Sequence, residues 1–140
     1  MWERRESYAE ITLGIPGSID TDIAVPLNDV ATFLKNVSAQ VKEVDPNGEE
    51  LYISHLGDGN LHYTFYPTDT SGILKEPITE AIEDVVLALN GSFSAEHGIG
   101  LSKKSSMARR KDPIALEMMG AIKTAFDPKN LMNPGKVYPD

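Results

Sequence analysis

A predicted β-hairpin places two histidines where both can bind one metal ion. The stretch 54–67 consists of two short apolar runs around Asp58 and Gly59, and Asp-Gly between alternating apolar residues is a strong hairpin signal. A two-residue turn there, or a four-residue loop over 57–60, pairs His55 directly with His62. Cross-strand partners have Cβ atoms about 4.5–5.5 Å apart, so both imidazoles can bind an ion at about 2.0–2.1 Å. A one-residue register shift would separate them.

A second interpretation of the two histidines is structural. They could be half-exposed side chains at the mouth of the hairpin that hydrogen-bond to loop carbonyls. The chain has only 3 histidines, and the third, His97, follows Glu96 in the segment S-A-E-H-G-I-G. This concentration of imidazoles favours the metal-site interpretation.

Composition restricts the classes of function. A chain of 140 residues fits one domain, and a net charge of -8 argues against binding to nucleic acid, whose phosphates need clustered basic residues. Cysteine is absent, which excludes disulfides, thiolate metal ligands and a cysteine nucleophile, and favours a cytoplasmic location. No apolar run approaches the ~18 residues of a membrane-spanning helix, so we expect no membrane span.

The hydrophobic patterns predict the element order β-α-β-β-α-β. One helix begins at an Asn28 cap and ends near Asp45, and another extends from Pro77 to Leu89. This order is typical of the α+β ferredoxin-like plait, in which helices cover one sheet face. His55, His62 and Tyr66 are expected on the other face, which is left open. The predicted strands are 20–25, 51–56, 61–66 and 92–96.

Additional carboxy-terminal helices and a tail follow the predicted plait. A short basic helix is expected near 103–110, and a longer one over 113–126 begins at an Asp112 cap. The longer helix carries an apolar stripe, and we expect its two adjacent methionines, Met118 and Met119, in a core. The tail is rich in turn-forming residues and has no hydrophobic period, which is typical of a segment that docks on another surface. The stripe consists of Ile114, Met118, Ala121, Ile122 and Ala125.

Three separated motifs resemble the C-terminal domain of the FAD-linked oxidases. These are H-L-G-D-G-N-L-H, S-A-E-H-G-I-G and F-D-P-K-N-L-M-N-P-G-K. The group includes D-lactate dehydrogenases, glycolate oxidase subunits and D-2-hydroxyglutarate dehydrogenases. With W-E-R-R-E and D-I-A-V-P, the resemblance covers nearly the whole chain. It implies that residues 1–140 are a cap domain over FAD, which is held by a separate amino-terminal domain, and we expect the chain to be a fragment of a longer protein.

The resemblance also implies the roles of individual residues. By position, His55, His62 and Glu96 match the ligands of a divalent metal, zinc or manganese, in the metal-dependent members. His97 matches the catalytic base. Topology alone does not place Glu96 beside the histidines, because a full fourth strand of an ideal plait would end at the opposite edge of the sheet.

Two further matches concern substrate and flavin, and two departures concern specificity. Arg5 matches an arginine that contacts the substrate carboxylate, and Asn133 matches an asparagine that lies by the flavin. Thr64 and Asp20 replace an asparagine and a lysine of the hydroxyglutarate enzymes. An acidic Asp20 would repel a second substrate carboxylate, so the departures favour a D-lactate-like substrate.

The sequence therefore favours one function and leaves two alternatives open. The favoured one is the substrate- and metal-binding half of a flavin-dependent dehydrogenase that oxidises a D-2-hydroxy acid to the 2-oxo acid, inactive as an isolated fragment. The first alternative is a free-standing plait that binds a metal or small ligand. The second is a structural plait that forms a homodimer through its open sheet face.

Overall fold

The computed structural model describes Ser7, residues 15–55 and residues 57–138. The chain divides into two compact units, residues 1–95 and residues 96–140. Arg5 and the rest of W-E-R-R-E lie outside the described residues. Among the helices that are described, none has the length and apolarity needed to cross a membrane.

The first unit contains a three-stranded antiparallel sheet and two α-helices. The sheet order is β1-β3-β2, so β3 is the central strand. This arrangement confirms the α+β class and the predicted order β-α-β-β-α. Asn28 is not the helix cap that the sequence predicts, because it lies in a 3-10 turn over Leu27–Asp29 that precedes the helix. The elements are β1 Ile19–Ala24, α1 Val30–Val44, β2 Glu49–His55, β3 Asn60–Tyr66 and α2 Lys75–Ala88.

The core of this unit lies between the sheet and both helices. Leu61, Tyr63 and Phe65 alternate along β3 and are completely buried, as the period-two pattern predicts. The Tyr63 ring makes an edge contact with Phe33 of α1, with ring centroids 6.1 Å apart. Its hydroxyl donates to Glu50 at 2.8 Å, and burial together with this carboxylate raises the pKa of Tyr63.

The predicted fourth strand over 92–96 is wrong. The structure has an isolated antiparallel bridge between Ser92 and Ala24, followed by one hydrogen bond from the Ala95 N–H to the Asp22 carbonyl at 3.1 Å. Within the same segment, the Ser92 hydroxyl donates to the Ser94 carbonyl at 2.8 Å. Such local side-chain bonds compete with a strand ladder, so the segment leaves the sheet early.

The sheet face away from the helices is less open than expected. At its centre, Asp22, Asn60 and Thr64 are 3%, 8% and 2% exposed. Among the described residues of this face, the exposed side chains include Asp20 on β1 and His55 on β2, the two edge strands. The homodimer therefore stays a prediction, and the sheet face available for its interface is smaller than the sequence indicated.

The second unit contains α3 Lys104–Arg110 and α4 Pro113–Phe126. The predicted cap is confirmed, since the Asp112 carboxylate accepts the Ala115 N–H at 3.0 Å. The expectation that the methionines of α4 lie in a core is wrong. Among the residues described, none of α4 is buried, and Ile114, Met118 and Ile122 are 67%, 62% and 57% exposed.

The tail after α4 is hydrogen-bonded within its own unit. The Asp127 carboxylate accepts the N–H groups of Leu131 and Met132, each at 2.8 Å. Lys123 pairs with the same carboxylate and donates to the Met132 carbonyl at 2.8 Å. These contacts lower the pKa of Asp127 to about 2, the Lys123 ammonium having the largest effect.

We expect Asp127→Asn to lower the urea midpoint of unfolding at pH 7. An aspartate has a pKa of about 3.9 in the unfolded chain and about 2 here, so its contribution to stability is complete above pH ~4. That contribution is lost as the pH falls toward 2, and the difference between wild type and variant should narrow over this window. Asp112→Asn at the other end of α4 is the control, since asparagine is also a good cap. A pH-independent difference would contradict the assignment.

Candidate metal centre

The hairpin that carries the two histidines has a different register from the predicted one. His55 pairs with Asn60, and His62 pairs with Ile53 rather than with His55. The predicted direct pairing is therefore wrong by two residues. Strand β2 ends at His55 and β3 begins at Asn60, so the four residues between them start one residue earlier than the four-residue loop considered from the sequence.

Local hydrogen bonds explain this loop. The Asp58 N–H donates to the His55 carbonyl at 3.3 Å, and the Asp58 carboxylate accepts the Asn60 N–H at 3.0 Å. An aspartate that bonds the backbone two residues on forms an Asx turn. Gly59 follows at φ 76°, a conformation that glycine adopts without steric cost. The Asp-Gly signal was correct, but the turn is wider than two residues.

The register shift still brings the histidines together. A shift by two residues keeps both side chains on the same sheet face, where His55 and His62 are now diagonal neighbours. Their ring centroids are 5.5 Å apart, with the ring planes at 78°. The predicted proximity is therefore confirmed by a different pairing.

Residues 92–96 do not continue along the sheet as a fourth strand, and this explains the position of Glu96. His62 pairs with Asp22 across β3 and β1, and the Asp22 carbonyl accepts the Ala95 N–H at 3.1 Å. Ala95 is thus at the sheet level of His62, and Glu96 follows it by one peptide bond. A full fourth strand would have carried the chain on toward the far edge.

Three side chains offer ligands to one ion. The candidate ligand atoms of His55, His62 and Glu96 lie within 4.8 Å of one another. Metal bonds of about 2.0–2.2 Å separate ligand atoms by up to about 4.4 Å, so at most a small side-chain rotation is needed. Two imidazoles and one carboxylate suit zinc and leave coordination positions for a substrate. The residues present fit a catalytic divalent metal.

His97 lies directly after Glu96 in the second unit. Its Nε2 is 3.8 Å from the Glu96 Oε1, and the two side chains are 65% and 45% exposed. An exposed imidazole next to a candidate ligand carboxylate can exchange a proton with a small molecule bound nearby. The geometry is compatible with a base at this position.

Asn133 lies in a tight turn of the carboxy-terminal tail. Its φ is 47°, and its carbonyl accepts the Lys136 N–H at 3.2 Å. Asparagine tolerates this left-handed conformation better than most residues. The side chain is exposed, so it is available for contact with another molecule.

The two positions that depart from the hydroxyglutarate pattern are neighbours. Thr64 and Asp20 pair across β3 and β1, and the Thr64 hydroxyl donates to the Asp20 carboxylate at 2.8 Å. Ser18 donates to the other oxygen at 3.1 Å. These bonds orient the exposed Asp20 carboxylate on the same sheet face as His62.

Asp22 is a residue near His62 that the sequence did not single out. This side chain is 3% exposed and lies opposite His62 in the register of β1 and β3. The alternation of D-T-D-I-A-V was the available signal, because it puts Asp20 and Asp22 on one face and Ile23 and Val25 on the other. Without the register, nothing connected that face to a particular histidine.

Comparisons with known proteins identify relatives over the whole chain. A family model described as FAD linked oxidases, C-terminal domain, matches residues 1–137. D-2-hydroxyglutarate dehydrogenase of Stutzerimonas stutzeri (strain A1501) is 34% identical, covering 99% of this chain and 31% of the relative. A probable mitochondrial D-lactate dehydrogenase of Danio rerio is also 34% identical, with 98% and 28% covered. Glycolate oxidase subunit GlcD of Bacillus subtilis (strain 168) is 30% identical, with 96% and 29% covered. The chain spans less than a third of each of these relatives.

Proposed function

Because this chain belongs to the family of C-terminal domains of FAD-linked oxidases, we propose that it is the substrate- and metal-binding half of a flavin-dependent dehydrogenase. The reaction is oxidation of a D-2-hydroxy acid to the 2-oxo acid. The observation that carries the proposal is the grouping of His55, His62 and Glu96, with candidate ligand atoms within 4.8 Å of one another.

The proposal assigns a bound metal and a flavin to complementary tasks. A divalent metal held by His55, His62 and Glu96 would supply Lewis acidity, which lowers the pKa of a coordinated hydroxyl group. FAD, bound by a separate amino-terminal domain of the same protein, would supply hydride-accepting chemistry that no side chain can provide. The isolated chain is then inactive, since it contributes only part of the flavin site.

The chain's own residues bind, orient and deprotonate the substrate in this proposal. The His97 imidazole accepts the hydroxyl proton, because it is an exposed proton acceptor next to the proposed ligand Glu96. Arg5 pairs with the substrate carboxylate, and Asn133 contacts the flavin. The His97 Nε2 lies 3.8 Å from the Glu96 Oε1, so the proposed base is next to a proposed metal ligand.

The face around Asp20 supports a short monocarboxylate substrate, D-lactate or a close analogue. Asp20 lies two residues along β1 from Asp22, the partner of His62, which corresponds to about 6.6 Å along the sheet. A second carboxylate extending that far from the metal ligands would meet the Asp20 carboxylate. D-lactate has no such group, whereas D-2-hydroxyglutarate does.

We expect the full-length protein to reduce its flavin faster with D-lactate than with D-2-hydroxyglutarate. Asp20→Lys should raise kcat/KM for the dicarboxylate by roughly 10- to 100-fold, because an attraction replaces a repulsion at short range. Asp20→Asn is the matched control, since it removes the charge alone and should give a smaller gain. Wild-type preference for D-2-hydroxyglutarate would contradict the substrate assignment, and flavin that neither acid reduces would contradict the proposed reaction.

The partners and location follow from the same proposal. The chain acts with its own amino-terminal FAD domain and a small hydroxy acid. The cytoplasmic location predicted from the missing cysteines remains a prediction, and the name of one relative places that protein in mitochondria.

A further inference from the structure

We propose that Asp22 is a positioning residue for His62, with its carboxylate accepting the imidazole N–H that does not face the metal. The inference rests on the proposed metal centre and assigns a role to a residue that the motif comparison leaves without one. It is carried by the register of the sheet, by burial and by the chemistry of imidazole ligands.

The register places the two side chains together. Asp22 and His62 are direct partners across the antiparallel strands β1 and β3, so both point to the same sheet face. Direct cross-strand partners have Cβ atoms about 4.5–5.5 Å apart. An aspartate and a histidine at that separation can form a hydrogen bond between carboxylate and ring nitrogen without any change in the backbone.

Burial requires that the Asp22 carboxylate has hydrogen-bond donors. The residue is 3% exposed, and an ionised carboxylate shielded from water is costly unless it is hydrogen-bonded. Diagonal neighbours on β3 are Asn60 and Thr64. The Thr64 hydroxyl proton is directed to Asp20 at 2.8 Å, so the Asn60 amide and the His62 imidazole remain as donors on this strand. The imidazole of His62 is the donor placed directly opposite.

An imidazole ligand works best when its second nitrogen has a partner. A carboxylate that accepts this N–H fixes the tautomer and the ring orientation and makes the metal-binding nitrogen more basic. His62 is on the central strand and half-buried, whereas His55 ends the edge strand β2 and is exposed. His62 is therefore the ligand that the fold can hold most rigidly.

Asp22 also connects His62 to the segment that leads to Glu96. Its carbonyl accepts the Ala95 N–H at 3.1 Å, while its side chain lies on the face of His62. One residue thus contributes to the position of two elements that carry proposed ligands. Replacing the Asp22 side chain removes its carboxylate from His62 but leaves the hydrogen bond between the Asp22 carbonyl and the Ala95 N–H in place. The two contributions can therefore be measured separately.

The test measures zinc affinity and the tautomer of His62 in full-length wild type, Asp22→Ala and Asp22→Asn. We expect Asp22→Ala to weaken zinc binding by about 10- to 100-fold, with a smaller loss for Asp22→Asn, whose amide oxygen still accepts a hydrogen bond. In metal-free protein, nitrogen-15 NMR should show one neutral His62 tautomer in wild type and a mixture in Asp22→Ala. Asp45→Ala is the control, because Asp45 is 4% exposed and its carboxylate binds Thr68.

The outcomes distinguish this inference from the proposed function. A folded Asp22→Ala variant with wild-type zinc affinity and an unchanged tautomer would overturn the inference. If wild type binds no zinc, the proposed metal function fails, and the metal-free tautomer still tests the contact between Asp22 and His62. If Asp22→Ala does not fold, Asp22→Asn decides through the same two measurements. An equal loss of affinity in Asp45→Ala would show a general effect of stability and would also overturn it.

Discussion

His97→Asn in the full-length protein is expected to lower turnover by about 10²- to 10⁴-fold, the usual contribution of a general base. Asparagine has similar size and hydrogen-bonding capacity, but it cannot accept the substrate proton. The side chain is 65% exposed, so its replacement should disturb packing little. Substrate affinity and bound flavin should change far less than turnover.

The measurement combines turnover and melting temperature on the same preparation. Ser102→Ala is the matched control, because Ser102 is exposed in the same unit and has no proposed role. If His97 only supports the local turn, the variant will melt earlier and keep its turnover per folded molecule. A stable variant with wild-type turnover would remove His97 from the mechanism.

Gly59→Ala is expected to destabilise the protein by ~2 kcal/mol or more. Gly59 has φ 76°, and a left-handed conformation costs alanine roughly 1–2 kcal/mol. An added Cβ would also lie 2.1 Å from the Val25 carbonyl oxygen, so the backbone must move. The Gly59 carbonyl accepts the Val25 N–H at 3.1 Å, and this bond holds the histidine hairpin against the segment after β1.

Gly57→Ala in the same loop is the matched control for this effect. A Cβ on Gly57 would meet nothing within 4 Å, so we expect a change within about 0.5 kcal/mol. Urea denaturation of both variants measures the difference. Equal midpoints would show that the loop does not constrain the hairpin as the structure indicates.

Local patterns predicted most of the first unit. Alternation in 61–66 identified the central strand and its buried face, and helical spacing identified α1 and α2 within a few residues. The fourth strand was wrong because Ser92 forms local bonds that no periodicity reveals. The same exit from the sheet explains Glu96, whose placement beside the histidines the sequence could not derive from an ideal plait.

His55 and His62 lie close together, as predicted, although the predicted strand register was wrong. Proximity depended on both side chains sharing a face, which a shift by two residues preserves. By contrast, the stripe of α4 has the pattern of a core helix, yet Ile114 and Met118 are exposed. Periodicity predicts which face is apolar, but it does not predict what covers that face.

The polar contacts on the sheet face away from the helices could not be predicted from sequence. Asp20, Asp22 and Thr64 are ordinary strand residues until the register of β1 against β3 is known. That register joins Thr64 to Asp20 at 2.8 Å and places Asp22 opposite His62. Both arrangements depend on residues about forty positions apart in the chain, and no local signal encodes them.

Zinc titration of the full-length protein by calorimetry tests the metal centre most directly. We expect one zinc site in wild type and its loss in His55→Ala/His62→Ala. The Asp69→Asn variant, an exposed change elsewhere in the first unit, should bind zinc as wild type does. Identical binding by wild type and the double variant would contradict the assignment of His55 and His62 as ligands.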